Sequence, residues 1–246
     1  IRDRHAVAVV KAGVFTLLKV TIYIFGGEFI LSNDVTGGLI WMAAATILIA
    51  SMVAMTKDNL KARLPYSTVS QLSYIVLGAM LASKAGLIGA SMHIAMHAFA
   101  KITLFFGAGA IMVASHKKRV SELNGLGRAM PVTFAAFLIG TLSIIGLPPF
   151  GGMWSKWYLA LGAVETTQLL LLAVLMISSL LNIIYLLPIP VRAFFSKPDS
   201  GEHYTKIAEA PKLMLLAMVI TSTACVILFF YPDPFYRLAG LAAGGD

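Results

Sequence analysis

Seven apolar runs, each long enough to cross a bilayer, divide this sequence and leave it few folds to choose from. A spanning helix needs about 20 consecutive apolar residues. Runs of that kind lie near residues 6–25, 37–56, 66–83, 86–114, 131–164, 168–190 and 212–231. The hydrophobic share of 59% and the charged share of 12% agree with this reading, because a soluble domain carries roughly 25% charged residues. The expected fold is an all-α polytopic membrane protein with about seven transmembrane helices, in one membrane domain over 1–246. The start of the chain does not read as a signal peptide, since apolar sequence continues with no small-residue cleavage site.

The fifth run is too long for one straight helix. It contains Gly146, Leu147, Pro148, Pro149, Phe150, Gly151 and Gly152. Two prolines remove two backbone donors and block helix continuation. In lipid such a break is tolerated only where protein or a water-filled cavity covers it. A discontinuous helix, broken at Pro148, Pro149 and Gly151, is expected beside a polar path.

Assigning the loops alternately to two sides places thirteen lysines and arginines on one side and two, Lys84 and Arg237, on the other. The positive-inside rule makes the rich side cytoplasmic, with the N-terminus inside and the C-terminus outside. The net charge of +8 is then explained by topology, without a nucleic-acid partner. The loop charges Lys57, Asp58, Lys61 and Arg63 need no role beyond solvated positive-inside residues. Cys225 is the sole cysteine, so an internal disulfide or a cysteine metal site is excluded.

Four basic residues remain inside the expected helices: Lys11, Lys19, Lys101 and Lys156. All eleven acidic residues fall in expected loops or termini. A lysine at mid-membrane costs roughly 2.5–3.5 kcal/mol on insertion scales and marks a functional position. Burial lowers the proton affinity of an amine and a nearby anion restores it, so a buried lysine is a switchable proton site. Lys11 has Gly13 beside it, which would admit a close neighbouring helix. Lys19, about two turns further on, is a secondary candidate that could instead snorkel to the surface. His93, His97 and Lys101 follow i, i+4, i+8 spacing and share one helix face. Their separation of about 6 Å along the axis suits bridging by water. The row is a candidate proton wire. Two histidines at this spacing also suit zinc, but no third ligand is evident and Lys101 would repel the ion, so no metal is expected. Lys156 follows the helix break by one turn, an arrangement that recurs in transporters. Ser67, Thr68, Ser70, Gln71, Ser73 and Tyr74 make the start of the third span polar and could line a hydrated entrance or only bond other helices, with Ser70 and Gln71 as the secondary candidates. No phosphate loop, nucleophile elbow or carboxylate pair suggests an enzyme, and no cofactor ligands are evident.

These positions carry a resemblance. The stretches HAVAVVKAGVFTLLKV from His5, KDNLKARLPYSTVSQLSYIVLG from Lys57, HIAMHAFAKITLFFGAGAI from His93, ELNGLGRAMP from Glu122 and GLPPFGGMWSKWYL from Gly146 resemble antiporter-like subunits of Mrp-type sodium/proton antiporters and respiratory complex I, most closely the D-type Mrp subunits. The resemblance runs through 5–195 as an antiporter-like core, the second inverted repeat and the helix before it. Residues 196–246 supply a loop and a C-terminal transmembrane helix. It implies that Lys11 belongs to the central hydrophilic axis, that His93, His97 and Lys101 form its connecting helix, and that Lys156 is the terminal site on the broken helix.

The first repeat of that family, with its glutamate–lysine pair, has no counterpart in this sequence. The implied function is a proton-translocating half-channel subunit of a multisubunit cation/proton antiporter in the plasma membrane. Its partners would be lipid and other members of the complex, one of them supplying the missing half or its carboxylate. The alternatives are a proton-pumping membrane subunit of complex I or a membrane-bound hydrogenase, and a transport-incompetent fragment. Pro65 stands where the family carries alanine, at the expected first turn of the third helix, where proline is tolerated.

Overall fold

The computed structural model describes residues 10–32, 34–198 and 208–244, and these fold into an all-α membrane bundle. Helix α1 (Val10–Val20) runs into a π-helical turn at Thr21–Phe25, kinks at Gly26 (φ 73°) and continues as α2 (Gly26–Ser32). Then follow α3 (Asp34–Thr56), α4 (Leu60–Met80), α5 (Lys84–Ser115), α6 (Pro131–Ile145), α7 (Gly152–Glu165), α8 (Leu169–Leu186), α9 (Pro188–Phe195), α10 (Lys212–Phe230) and α11 (Asp233–Ala242). Among the described residues, five stretches are long and apolar enough to cross a membrane: Val10–Ile30, Thr36–Thr56, Lys84–Ser115, Leu169–Phe195 and Lys212–Phe230. The other two expected spans are α4, whose buried face is polar, and the broken pair α6–α7. Residues 1–9, including the expected start of the first span with Arg2, Arg4 and His5, lie outside the described residues.

Helix α5 is the axis of the bundle. Its 32 residues extend for about 48 Å at 1.5 Å per residue. It packs against α4, α6, α7, α10 and α11. Small residues permit these close approaches, as in other membrane helix interfaces. A Cβ on Gly89 of α5 would lie 2.6 Å from the Leu159 backbone nitrogen of α7, and one on Gly162 of α7 would lie 2.6 Å from Gly86 of α5.

The break between α6 and α7 falls at the expected residues. Gly146 closes α6 in the left-handed region (φ 89°), and α7 starts at Gly152. The two halves nearly touch: a Cβ on Gly152 would collide with the Ser143 carbonyl oxygen. The Gly151 N–H bonds to the Cys225 carbonyl at 2.8 Å, which ties the break to α10.

The basic connections gather at one end. Leu60 N–H donates to Lys118 O at 2.9 Å, Val120 N–H donates to Asp58 O at 2.8 Å, and Gly125 N–H donates to Arg192 O at 3.1 Å. The Asp58 carboxylate accepts from the Ser121 hydroxyl at 2.7 Å and from its N–H at 3.1 Å. Slight burial pushes the Asp58 carboxyl up, but the two Ser121 donors and the nearby Arg63 and Arg119 outweigh it and hold the group below its ordinary value. Glu122 is held low by the backbone N–H groups of Arg119 and Lys118, at 3.0 and 3.1 Å.

Several sequence expectations need correction. Helix α4 begins at Leu60, not near residue 66, because the Asn59 side chain caps it by accepting from Ala62 N–H at 3.1 Å. Pro65 therefore lies inside the helix rather than in its first turn. Arg63 is not a solvated loop residue. It is 8% exposed, and its guanidinium donates to Lys57 O at 2.7 Å and Tyr185 O at 2.8 Å. Glu28 lies in α2 rather than a loop, because the apolar run continues past the Gly26 kink, but its side chain is exposed. No helix packs closely on Gly13, where an added Cβ would meet nothing within 4 Å. The C-terminal segment holds a second helix, α11, which folds back onto α5.

Candidate functional site

The face of α5 that carries His93, His97 and Lys101 points into the bundle, and all three side chains are buried. The two imidazoles stack with centroids 5.6 Å apart and planes at 11°. Tyr74 of α4 extends the stack on the other helix, 5.5 Å from His93 at 16°. His93 Nδ1 lies 2.8 Å from Ser155 Oγ of α7, and that hydroxyl also donates to the Gly152 carbonyl at 3.1 Å. The Ser155 hydroxyl thus ties the His93 ring to the start of α7, while His93 Nε2 has no protein partner among the described residues.

Lys101 is fully buried. Its ammonium donates to Ser67 Oγ at 2.7 Å and reaches Leu64 O at 3.4 Å, both on α4. Beyond Ser67 the polar contacts continue. The Tyr185 hydroxyl of α8 is 2.9 Å from Ser67 Oγ and also contacts the Asn182 amide oxygen, which accepts from Gln71 Nε2 at 3.4 Å. Gln71 thus joins the chain that starts at Lys101. Ser70 meets it only through Ser51: its hydroxyl bonds Ser51 Oγ at 2.8 Å and Ile47 O at 3.0 Å, which fastens α4 to α3, and Ser51 in turn lies 3.3 Å from Ser178 Oγ and beside Tyr185.

Lys156 projects from the first turns of α7 back over the break. It donates to the Ile145 carbonyl at 3.0 Å and to Ser179 Oγ of α8 at 3.0 Å. The last carbonyls of a helix lack intrahelical partners and carry negative partial charge. Ending α6 at Ile145 therefore creates an acceptor for the amine one helix later. Gly146 is required here, since a Cβ on it would meet Lys156 Cδ at 2.7 Å. The side chain is half-buried and lines a cavity of about 500 Å³ between α7 and α8 that is otherwise mainly apolar.

Lys11 is 7% exposed. It faces a second cavity, of about 300 Å³, roofed by Phe235 and Leu238 of α11. Neither its amine nor Ser91 Oγ, which lines the same cavity, has a hydrogen-bond partner among the described residues. Lys19 is exposed and rests over the Phe15 and Tyr23 rings at 5.7 and 5.9 Å, so the fold does not bring it into the buried row.

Several interior polar atoms have no protein partner. Besides Lys11 and Ser91, the atoms Gln71 Oε1, His93 Nε2, both His97 ring nitrogens, Thr141 Oγ1, Ser143 Oγ and Asn182 Nδ2 are buried without protein partners. Buried polar groups normally have partners, protein or ordered water. The buried ionisable residues described are Lys11, Arg63, His93, His97, Lys101, the tyrosines Tyr74 and Tyr185 and the Cys225 thiol, with no carboxylate among them. Among the described residues, no three His, Cys, Asp or Glu side chains group as a metal site.

Ser155, Ser179, Asn182 and Tyr185 were not singled out from sequence. A signal existed, because Ser178, Ser179 and Asn182 interrupt an otherwise apolar helix and polar residues inside spans are expensive.

The family profile described as NADH:quinone oxidoreductase/Mrp antiporter, TM, matches residues 6–182. NADH-quinone oxidoreductase subunit N of Desulforudis audaxviator is 36% identical over 203 residues, covering 78% of this chain and 40% of that protein. The A-type Na(+)/H(+) antiporter subunit of Alkalihalophilus pseudofirmus is 31% identical over 253 residues, covering 93% of this chain and 31% of that protein. The chain thus spans well under half the length of these relatives. A chain of the Mrp complex from Dietzia sp. DQ12-45-1b shares the fold at a TM-score of 0.85 and 23% identity, over 95% of this chain and 51% of that one. The chain belongs to the NADH:quinone oxidoreductase/Mrp antiporter transmembrane family.

Proposed function

We propose that this chain is a proton-translocating half-channel subunit of a multisubunit sodium/proton antiporter of the Mrp kind. The observation that supports it best is the interior set itself: the Lys101 and Lys156 amines and the His93 imidazole held by neutral oxygens, with no buried carboxylate among the described residues. An amine so held binds a proton and gives it up when neighbouring charge changes. In this reading residues 5–195 form the transport core. Lys11 and Lys101 relay protons. His93 and His97 conduct through water, which would also satisfy their unpartnered nitrogens. Lys156 exchanges with one surface through its cavity. The acidic counter-charge comes from outside this set of residues. The chain sits in the plasma membrane with its basic end cytoplasmic, its N-terminus inside and its C-terminus outside.

The subunit N relative, 36% identical, favours a second reading: a proton-pumping membrane subunit of a redox-driven complex. Reconstitution separates the two. The purified chain alone in liposomes is expected to show no antiport. The chain with its partner subunits is expected to acidify or alkalinise the lumen in response to a sodium gradient. Sodium-driven proton movement by the chain alone would contradict the half-channel reading, and movement that needs an electron donor instead of sodium would select the redox reading.

A further inference from the structure

Tyr74 belongs to α4, yet its ring touches chemistry on both neighbouring helices. The side chain is fully buried. Its ring lies 5.3 Å from the Lys156 ammonium of α7 and 5.5 Å from the His93 imidazole of α5, with which it is stacked. Its hydroxyl donates to the Leu175 carbonyl at 3.4 Å and lies beside Ser178 and Ser179 of α8, so its own contacts are with α8 and not with the amine or the imidazole. The other Lys156 contacts are two neutral oxygens, Ile145 O and Ser179 Oγ. An aromatic face carries negative potential and attracts a cation within about 6 Å, more strongly when water is excluded. The same ring thus serves a lysine on the broken helix and a histidine at the head of the α5 row.

We infer that Tyr74 is the positioning residue that couples Lys156 to His93, its ring face holding the protonated amine beside the histidine row. The inference rests on the proposed transport function. It assigns the role to the ring, which meets both groups directly, and not to the phenol hydroxyl, which meets only α8 and reaches Lys156 no nearer than through Ser179. Removing the ring leaves Lys156 with its neutral oxygens but takes away the surface that keeps the charged amine near His93.

The test is proton transport by the assembled complex in sealed vesicles. Tyr74→Phe keeps the ring and is expected to transport within about twofold of the parent, while Tyr74→Leu is expected to lose about tenfold or more, corresponding to the stronger end of cation–ring attraction. Mono-, di- and trifluorophenylalanine at position 74 keep the shape while draining the ring's negative face, and transport should fall stepwise along that series. A flat response to fluorination, wild-type transport by Tyr74→Leu, or equal losses in Tyr74→Phe and Tyr74→Leu would overturn the inference. Where Tyr74→Leu does not assemble, the fluorinated series decides. Lys156→Ala is the control for the underlying reading: unchanged transport in that variant removes the half-channel itself, whereas lost transport there with a flat fluorine series removes only the role of Tyr74.

Discussion

The Lys101 ammonium donates to Ser67 Oγ at 2.7 Å, from the axial helix to the polar face of α4. Its second contact, Leu64 O at 3.4 Å, is also a neutral oxygen. A carboxylate in Ser67's place would hold the charge on the lysine permanently. A hydroxyl satisfies one donor without fixing the protonation state, and it passes the contact on to Tyr185. The same logic holds at Lys156, where a helix-end carbonyl and the Ser179 hydroxyl take the amine.

Replacing Ser67 by alanine should therefore cost transport more than stability. Hydrogen bonds to charged groups contribute about 1.5–3 kcal/mol, and about 1.4 kcal/mol is a factor of ten. Proton transport by the assembled complex is expected to fall about tenfold in Ser67→Ala and to recover substantially in Ser67→Thr, which restores the hydroxyl. Equal rates in Ser67→Ala and the parent would show that this contact does not set the state of Lys101.

Glycine positions provide an internal contrast. A methyl group at Gly152 has no room, since the Ser143 carbonyl oxygen occupies the place where it would sit. The halves of the broken helix would have to separate, and overpacking of this kind costs about 1–3 kcal/mol or more. At Gly13 the same methyl meets nothing within 4 Å, and alanine is the better helix former by about 1 kcal/mol. Thermal unfolding in detergent should show a clear drop for Gly152→Ala and no loss for Gly13→Ala.

The loop contacts at the basic end predict an acid limb to stability. Asp58 and Glu122 both have depressed carboxyl values in the folded state. Such groups contribute stability that is present above their unfolded values, near pH 4, and is lost as pH falls through the lower folded values. Melting of the detergent-solubilised chain should be flat from about pH 7 to 5 as far as these two groups are concerned and should decline below about pH 4. Asp58→Asn should lower the melting temperature at neutral pH and make the acid decline shallower. Both groups are mostly exposed, so solvent screening keeps the effect small.

How much of this was written in the sequence differs from residue to residue. The spans were legible because lipid demands unbroken apolar length, and the break at Pro148 and Pro149 because proline cannot continue a helix. The alignment of His93, His97 and Lys101 followed from a spacing of four. Their partners were legible only in part: Ser67 belongs to the polar start of the third span and Ser179 interrupts an apolar helix, but Ser155 and Tyr185 are a serine and a tyrosine like any others until helix packing turns them toward an imidazole or toward the serine that holds an amine. Arg63 was read as a loop charge because its neighbours are basic and polar. Only the position of α8 beside α4, which presents the Tyr185 carbonyl to it, explains its burial. The cap at Asn59 and the Asp233–Pro234 start of α11 were available signals of the kind that mark helix N-termini.

In the proposed reading, lysines bonded inside the bundle, and not surface ones, carry the proton path. The direct measurement is proton movement by the assembled complex in sealed vesicles, followed with a pH-sensitive dye, for Lys101→Ala, Lys156→Ala and Lys19→Ala. Lys101 and Lys156 are bonded inside the bundle while Lys19 is exposed. The first two variants are expected to lose transport by about tenfold or more, as when a mid-membrane ionisable group is removed from its pathway, and Lys19→Ala is expected to stay near the parent rate. Unchanged transport in Lys101→Ala and Lys156→Ala, with assembly intact, would contradict that reading.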